Sequence, residues 1–209
     1  MDVQEKKTEE KIKEAARAVF HRKGYAAARS RDIAEEAGIN LALLNYYFRS
    51  KERLFSIVMM ETFQSFFASV IQTINDPRTS LEEKTEKLVE RYIDMLLEEP
   101  EVPLFLATEL RRDPDTVIGK VQAARLIPES VLVRQYEEAI REGRIRDVPF
   151  IQFMINLMGL IIFPFFVSPM LKAVGDLRDE QFRALMIARK KDIPGWLRMM
   201  MQPTVHQPQ

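Results

Sequence analysis

The 209-residue sequence contains no cysteine and only two histidines, His21 and His206. Without cysteine there can be no disulfide framework, thiolate nucleophile or cysteine metal site. The first histidine lies in an N-terminal helical pattern and the second in the C-terminal tail, so neither has a plausible catalytic partner. The sequence also lacks a glycine-rich phosphate loop and a nucleophile elbow. We therefore expect no enzymatic activity, no metal site and no cofactor.

Glycine is scarce as well, with seven residues, and no stretch alternates between polar and apolar residues as a half-buried strand does. Hydrophobic residues make up 46% of the chain, which is ample for a core. The N-terminus has no apolar segment and no cleavage site of a signal peptide. These features predict an all-α protein, and we expect it to be cytoplasmic.

An excess of charge of either sign is also absent, because 31 basic residues balance 31 acidic ones. A net charge of zero argues against binding of polyanions over the whole surface. Residues 1–55 nevertheless contain twelve Lys or Arg and nine Asp or Glu, a net charge of +3, so the remainder carries −3. This asymmetry permits a local basic patch near the N-terminus.

Apolar residues recur at helical spacing along most of the chain. Gly24 is placed to end the first helix, and Ser50 is placed to cap the fourth. The predicted helices span residues 8–23, 30–37, 41–47, 50–74, 81–98, 102–112 and 117–142, with one more beginning at Pro149 and a late one at 178–191.

Residues 148–171 form a stretch of twenty-four residues without a charge, long enough to span a membrane. Pro164 and Pro169 would kink such a span, so we predict a buried helix that also forms a subunit interface, and membrane contact is the alternative. Helix 178–191 and its symmetry mate would complete a four-helix dimer interface. The predicted interface stripe, at helical spacing, consists of Phe150, Met154, Leu157, Met158 and Ile161.

Residues 30–47 fit a helix-turn-helix. Ala34 is small where two helices pack, Gly38 tolerates a positive φ in the turn, and Ile39 fills the corner. An uncharged helix surface suits a DNA major groove, where asparagine pairs with adenine and small apolar groups touch the thymine methyl. The predicted base-reading surface of helix 41–47 consists of Asn40, Leu41, Ala42, Asn45 and Tyr46.

Positive and hydroxyl-bearing residues flank this surface, where the DNA phosphates would lie. Arg29, Ser30 and Arg31 stand at the start of the second helix, and backbone N–H groups at helix starts also face anions. Tyr47 and Lys51 are the strongest candidates for phosphate contacts. A structural role for Tyr47 and a merely solvated Lys51 are the alternatives.

Residues 10–55 resemble the DNA-binding domain of the TetR family of one-component transcriptional regulators. The sequence departs from the family pattern at Ala28-Arg29, where a Thr-Ser pair is usual, and at Asn45, where tyrosine is common. The resemblance is carried by Ile12, Ala15-Ala16, Phe20, Gly24-Tyr25, Ile33-Ala34, Ala37-Gly38, Leu44, Tyr47-Phe48, Ser50-Lys51-Glu52 and Leu54-Phe55.

The resemblance implies a DNA-binding domain at residues 1–50 and a regulatory domain at residues 51–209, which binds a ligand and forms a homodimer. It implies a repressor that leaves a palindromic double-stranded DNA operator when a small effector binds. A helical adaptor that binds only protein, or a membrane-associated helical protein, is the alternative. Salt-dependent retention of DNA distinguishes the regulator from both.

Aromatic and methionine side chains of the second domain suggest a small, mostly apolar effector, because flexible methionine beside phenylalanine suits such a ligand. Simple packing in the core is the alternative for each of them. The candidate ligand-binding residues are Met59, Phe63, Phe66, Phe67, Met95, Phe105 and Phe153.

Overall fold

A computed structural model describes residues 3–115, 119 and 127–203. Every regular element in these residues is an α-helix, which confirms the predicted all-α class. The helices are α1 (Val3–Ala27), α2 (Ser30–Glu36), α3 (Leu41–Phe48), α4 (Lys51–Asn75), α5 (Leu81–Glu98), α6 (Val102–Arg112), α7 (Val131–Arg141), α8 (Phe150–Phe166), α9 (Ser168–Gly175) and α10 (Asp179–Met200).

Short polar side chains cap several of the helices at their N-termini. The side chains of Asn40, Ser50, Ser80 and Ser130 each accept a hydrogen bond from the backbone N–H three residues later, at 2.8, 3.1, 3.1 and 3.3 Å. Each bond satisfies one of the N–H groups that have no partner inside the helix. The predicted caps Asn40 and Ser50 are thus present.

Gly24 interrupts the first helix at the predicted position. It has φ 70° and ψ 163°, outside the helical region, and the range Val3–Ala27 joins two helical segments across it. Glycine adopts this conformation without the steric cost that a Cβ would add. The residue therefore kinks α1, and the short segment beyond the kink carries Tyr25 towards the start of α4.

The predicted helix 117–142 is also not continuous. Residues 117, 118 and 120–126 lie outside the described part of the chain, as do residues 204–209 with His206. Residues 127–130 form a turn, and α7 begins only at Val131. Pro128 lacks a backbone N–H and Ser130 caps the following helix, so the local chemistry favours a new start at this point.

The helices form two packed groups that share α4. Helices α1–α3, which we call the head, pack against one another and against α4. Helices α4–α10, the core, surround α5, which contacts α4, α7, α8 and α10. The most deeply buried apolar side chains of the head are Ile12, Ala16, Val19, Ile33, Leu44 and, from α4, Leu54.

The uncharged stretch 148–171 is divided between α8 and α9, which are bent by 67° relative to each other. Together they pass a length and hydropathy test for a membrane span, and α4 passes it alone with a mean hydropathy of 1.5. The core helix of a protein that never enters a membrane passes the same test, so this finding is weak support for membrane contact. All three helices pack against other helices of the chain.

Pro164 lies inside α8 and leaves one backbone carbonyl without its helical donor. The N–H of residue 164 would normally donate to Leu160, four residues earlier, and proline has no such group. The guanidinium of Arg189 on α10 donates instead to the Leu160 carbonyl oxygen at 2.7 Å. It also stacks on the Trp196 ring, 5.0 Å from the centroid. Arg189 thus compensates for the proline and joins α10 to α8.

We expect Arg189→Met to lower the free energy of unfolding by about 1–2 kcal/mol, because a polar backbone group loses its partner. In a Pro164→Ala background the helix supplies that partner, so the loss should be smaller by at least about 0.5 kcal/mol. Contact with Trp196 is lost in both backgrounds and cancels in the comparison. Urea unfolding of the four proteins at one concentration measures the effect, and equal losses in both backgrounds would contradict it.

Candidate nucleic-acid interface

The turn between α2 and α3 has the geometry of a glycine-terminated helix end. Gly38 has φ 61°, the Ile39 N–H donates to the Ala34 carbonyl at 2.9 Å, and the Gly38 N–H donates to that of Glu35 at 3.0 Å. These two bonds form a Schellman motif, which requires a left-handed residue where Gly38 stands. Ile39 is half-buried in the corner, so α3 leaves α2 in the predicted helix-turn-helix arrangement.

One face of α3 is anchored and the opposite face is open. Leu44 and Phe48 are 0% and 2% exposed in the head, while Tyr46 is 73% exposed. The predicted base-reading residues therefore share one accessible face: Asn40, Ala42, Asn45 and Tyr46 are exposed, and Leu41 is half-buried.

Asn40 and Tyr47 have structural contacts as well. The Asn40 Oδ1 accepts from the Leu43 N–H at 2.8 Å, which leaves its NH₂ group as the part able to donate elsewhere. Tyr47 is half-buried against the hydrophobic core, and its ring meets that of Tyr46 edge-on at 5.4 Å. Both residues remain predicted DNA contacts with part of the side chain already engaged.

The start of α2 is stabilised through the backbone of Arg29. Arg29 occupies the N-cap position, and Ser30 is the first helical residue. The Arg29 N–H donates to the carboxylate of Asp32 at 3.0 Å. This bond, followed by the one from Lys23, holds the pKa of Asp32 below its usual value. Arg29 and Arg31 keep exposed side chains beside the open end of α2.

Lys51 is a half-buried tether and not a merely solvated side chain. Its ammonium donates to the backbone carbonyls of Tyr25 and Ala28, each at 3.0 Å, and lies 4.3 Å from the centroid of the Tyr25 ring. Two of its three donors are thus occupied, which leaves one for a phosphate. The lysine binds the segment between α1 and α2 to the start of α4.

Arg49, between α3 and α4, is a basic residue that the sequence did not single out. Its φ of 61° and ψ of −40°, with the Ser50 N–H donating to the Phe48 carbonyl at 2.6 Å, form a tight three-residue turn. A non-glycine residue in this region is strained by about 1–3 kcal/mol. Its side chain is exposed next to the open face of α3. The break between two predicted helices at a residue other than glycine was the available signal.

Charged side chains fix the head to α4. Glu61 on α4 accepts from Lys13 at 2.7 Å and from Arg17 at 2.9 Å, both on α1. Lys13 is 6% exposed and also meets Glu10 at 2.6 Å. Burial lowers the pKa of Lys13, but the two carboxylates outweigh burial and the net pKa is raised. Lys13 therefore stays charged, and α1 follows any movement of α4.

The predicted ligand residues are distributed over several places. Phe66 and Met95 line an open cleft between α4 and α5, whereas Phe105 lines a separate pocket between α6 and the head. Met59 and Phe153 are 1% and 2% exposed inside the hydrophobic core. The remaining two, Phe63 and Phe67, pack together with their ring centroids 5.7 Å apart.

A phenol that the sequence did not indicate lies beside the predicted ligand residues. Tyr92 on α5 packs edge-on against Phe66, with 4.6 Å between the ring centroids. Burial raises the pKa of Tyr92 to about 12, so the group is a neutral phenol near neutral pH.

The predicted interface stripe on α8 needs correction. Leu157 and Ile161 are 0% and 1% exposed within the chain's own core, and Phe150, Met154 and Met158 are half-buried against it. The other side of α8, together with α9, carries six apolar side chains that are exposed by 50% or more. They are Ile151, Ile155, Phe163, Phe166, Met170 and Val174.

Comparison with known proteins gives consistent results. Residues 12–57 match the family model described as "Bacterial regulatory proteins, tetR family". The "Probable HTH-type transcriptional regulator YttP" of Bacillus subtilis is 24% identical over 160 residues, 76% of this chain and 77% of the relative. The HTH-type transcriptional repressor NicS of Pseudomonas putida is 34% identical over 106 residues, 49% of this chain and 48% of the relative.

Solved structures share the whole fold. A TetR transcription regulator from Haloarcula marismortui has a TM-score of 0.64 at 18% identity, covering 94% of this chain and 98% of that one. The regulator FadR from Bacillus subtilis, solved in complex with stearoyl-CoA, has a TM-score of 0.58 at 18% identity, covering 90% and 96%. At these identities the similarity shows the fold.

We expect Arg49→Gly to raise the free energy of unfolding by about 0.5–1 kcal/mol, because glycine relieves the strain of the positive φ. The gain is smaller than the full strain energy, since glycine also has more backbone entropy in the unfolded chain. Arg49→Ala removes the same side chain but keeps a Cβ, and should give no such gain. Thermal unfolding of the three proteins compares them. Equal stability of the glycine and alanine variants would show that the turn is not strained.

Proposed function

We propose that this chain, which belongs to the TetR family of bacterial transcriptional regulators, is a repressor that binds a palindromic operator as a homodimer and is released by a small effector. Residues 1–50 would bind the DNA, and residues 51–209 would dimerise and bind the effector. Like the relatives it matches, the protein is a transcriptional regulator and not an enzyme.

The observation that carries the proposal is the open face of α3. It offers amide and small apolar groups from Asn40, Ala42 and Asn45, which suit base edges in a major groove. Arg29, Arg31 and Arg49 are exposed around it, and Lys51 keeps one donor free, which suits the phosphates on either side. Uncharged groups in the middle and cations at the rim are an arrangement that suits sequence-specific DNA binding.

The homodimer is supported by the uncovered side of α8. Ile151, Ile155 and Phe163 are 67%, 57% and 59% exposed, and open space surrounds the position where Gly159 would carry a Cβ. A contiguous apolar surface of this kind marks an interaction site. A second copy related by a twofold axis would cover it with the same surface, with α10 completing the interface. The dimer would also supply the two heads that a palindrome requires.

Repression is supported by the relative NicS, which is named as a repressor. For the effector we propose a small, mostly apolar molecule, consistent with the aromatic and methionine side chains around α4 and α5. FadR, which shares the fold, is bound to stearoyl-CoA, a ligand with a long apolar chain. Ligand binding at the core would lower the affinity for DNA. This loss can be no larger than the difference between the ligand's affinity for the state in which the heads are misplaced and its affinity for the state that binds DNA.

Selection of bound fragments from a random DNA pool tests the function directly. A palindrome with half-sites about one helical turn apart is expected. Retention of the selected operator should fall steeply as the salt concentration rises, because phosphate contacts release counterions. Recovery of no consensus, together with retention that salt does not affect, would favour a protein-binding adaptor.

Asn45→Ala should reduce the preference for the selected operator over scrambled DNA by about 1–3 kcal/mol, through loss of a base contact. Arg31→Ala should instead weaken binding to both DNAs alike and reduce the slope of log affinity against log salt by about one. Fluorescence anisotropy on the two DNAs at several salt concentrations separates the two effects. Unchanged preference in the Asn45 variant would mean that another face of α3 meets the bases.

Ile155→Arg should convert the protein to monomers and abolish operator retention, because it buries a charge without a partner at the proposed interface. Leu110→Arg is the control, since Leu110 is 44% exposed on α6 and is not part of the proposed interface. Sedimentation velocity at micromolar concentration measures both variants. A parent protein that sediments as a monomer contradicts the proposed dimer.

A further inference from the structure

A pocket lies at the junction of the head and the core, apart from the apolar centre of the core. Its walls come from Tyr25 beyond the kink of α1, from Phe55 at the start of α4, and from Leu104 and Phe105 on α6. It has a volume of about 300 Å³, at the lower end of the range of about 300–1,000 Å³ that is usual for small-molecule sites.

The floor of this junction pocket is aromatic and its side wall is an uncovered leucine. The ring of Phe55 lies 4.5 Å from that of Tyr25 and 5.7 Å from that of Phe105, the latter edge-on. Leu104 is 57% exposed although it borders these rings. An apolar body placed here would remove the leucine from water.

The rim of the pocket is acidic. Among the described residues, Glu52, Glu101 and Glu109 line it with a single basic residue, Arg112, which gives a formal charge of −2. The side chain of Glu109 is 13% exposed, and its partner Arg112, at 2.6 Å, is 68% exposed. Glu52 accepts a hydrogen bond from the Tyr25 hydroxyl at 3.2 Å, and this neutral group leaves the charge of the carboxylate in place.

From this combination we infer that the junction pocket binds an amphipathic organic cation, with an apolar body on the aromatic floor and an ammonium group among the carboxylates. A ligand ammonium would replace the exposed Arg112 beside Glu109, whose own side chain is 13% exposed. The aromatic rings would add a favourable interaction with a cation above them. An anion of the same shape would meet a net negative rim, and a neutral molecule would gain only the apolar contacts.

The three walls of the pocket lie on α1, α4 and α6, and the arrangement of these helices sets the position of the head. The Glu101 carboxylate lies over the kink of α1, with its Oε1 atom 3.4 Å from where a Cβ on Gly24 would stand. A bound cation would therefore contact the head and α6 at once. Any effect of this contact on DNA binding rests on the proposed function, whereas binding of the cation itself does not.

Three probes with one body and different head groups test the site: phenylbutylammonium, phenylbutanol and phenylbutanoate. In calorimetric titrations of the full chain at low salt, the ammonium should bind at least about fivefold more tightly than the alcohol, and the carboxylate least, since charges are weakly screened there. The preference for the ammonium should shrink as salt is added.

Charge variants locate the preference. Glu109→Gln and Glu101→Gln should each reduce the affinity for the ammonium and leave that for the alcohol unchanged. Glu90→Gln, an exposed α5 carboxylate outside the pocket, is the control for lost charge. Equal affinities for ammonium and alcohol in the parent, or an ammonium affinity that neither pocket variant changes, would overturn the inference.

Apolar variants locate the body of the ligand. Leu104→Ala should weaken all three probes by a similar factor, whereas Leu110→Ala, which shortens an exposed leucine of the same helix outside the pocket, should weaken none. Equal effects of the two substitutions would overturn the assignment of the site. Operator retention is measured separately, without probe. If the ammonium binds but the operator is not retained, the proposed function alone is contradicted. If the operator is retained but the ammonium does not bind, this inference alone is contradicted.

Discussion

The structure depends on α4 being one unbroken helix that belongs to both the head and the core. Its first turns bury Leu54 and Phe55 with the head, and its last turns bury Val70 and Ile74 in the core. Glu61, in between, holds Lys13 and Arg17 of α1. A helix with its i→i−4 bonds intact does not absorb displacement by bending sharply. Any change in the direction of α4 therefore reaches the open face of α3, which is the proposed DNA-binding surface.

The far end of α4 is fixed by a buried lysine. Lys84 on α5 is 0% exposed, and its ammonium donates to the Asp76 carbonyl, the Thr79 carbonyl and the Thr79 hydroxyl at 2.7, 2.6 and 2.9 Å. Burial lowers the pKa of Lys84. Its three donors are all used by the loop after α4, and Asn75 accepts from the N–H of Val131 at the start of α7. These bonds tie this end of α4 to α5 and α7, and the head lies at the opposite end of the helix.

Prediction from sequence worked in the head because the turn and caps there depend on local chemistry. Gly38, Asn40 and Ser50 each have a function that a few neighbouring residues determine. It failed for the stripe on α8, since residues 148–171 are apolar on all sides and their periodicity does not say which side meets the chain's own core. It could not place a pocket, because an aromatic side chain looks the same in sequence whether it packs or lines a cleft. Arg49 was missed because composition does not report backbone strain, and the break between two predicted helices at this residue was the signal that could have found it.

In the proposed mechanism, the geometry of α4 sets how small a change would suffice to release DNA. Twenty-five residues span about 37 Å at 1.5 Å per residue, so a tilt of about 5° around the fixed end moves the head by about 3 Å. In the proposed dimer both heads would move, and the distance between the two recognition helices could change by about 6 Å against the ~34–36 Å that successive major grooves require. Such a tilt needs no rearrangement of the head itself, whose contacts to α4 through Lys13, Arg17 and Lys51 would be carried along. A ligand in the inferred site between α6 and the head would act near the end of α4 that is far from Lys84, where a given displacement requires the least rotation around the buried contacts of that lysine.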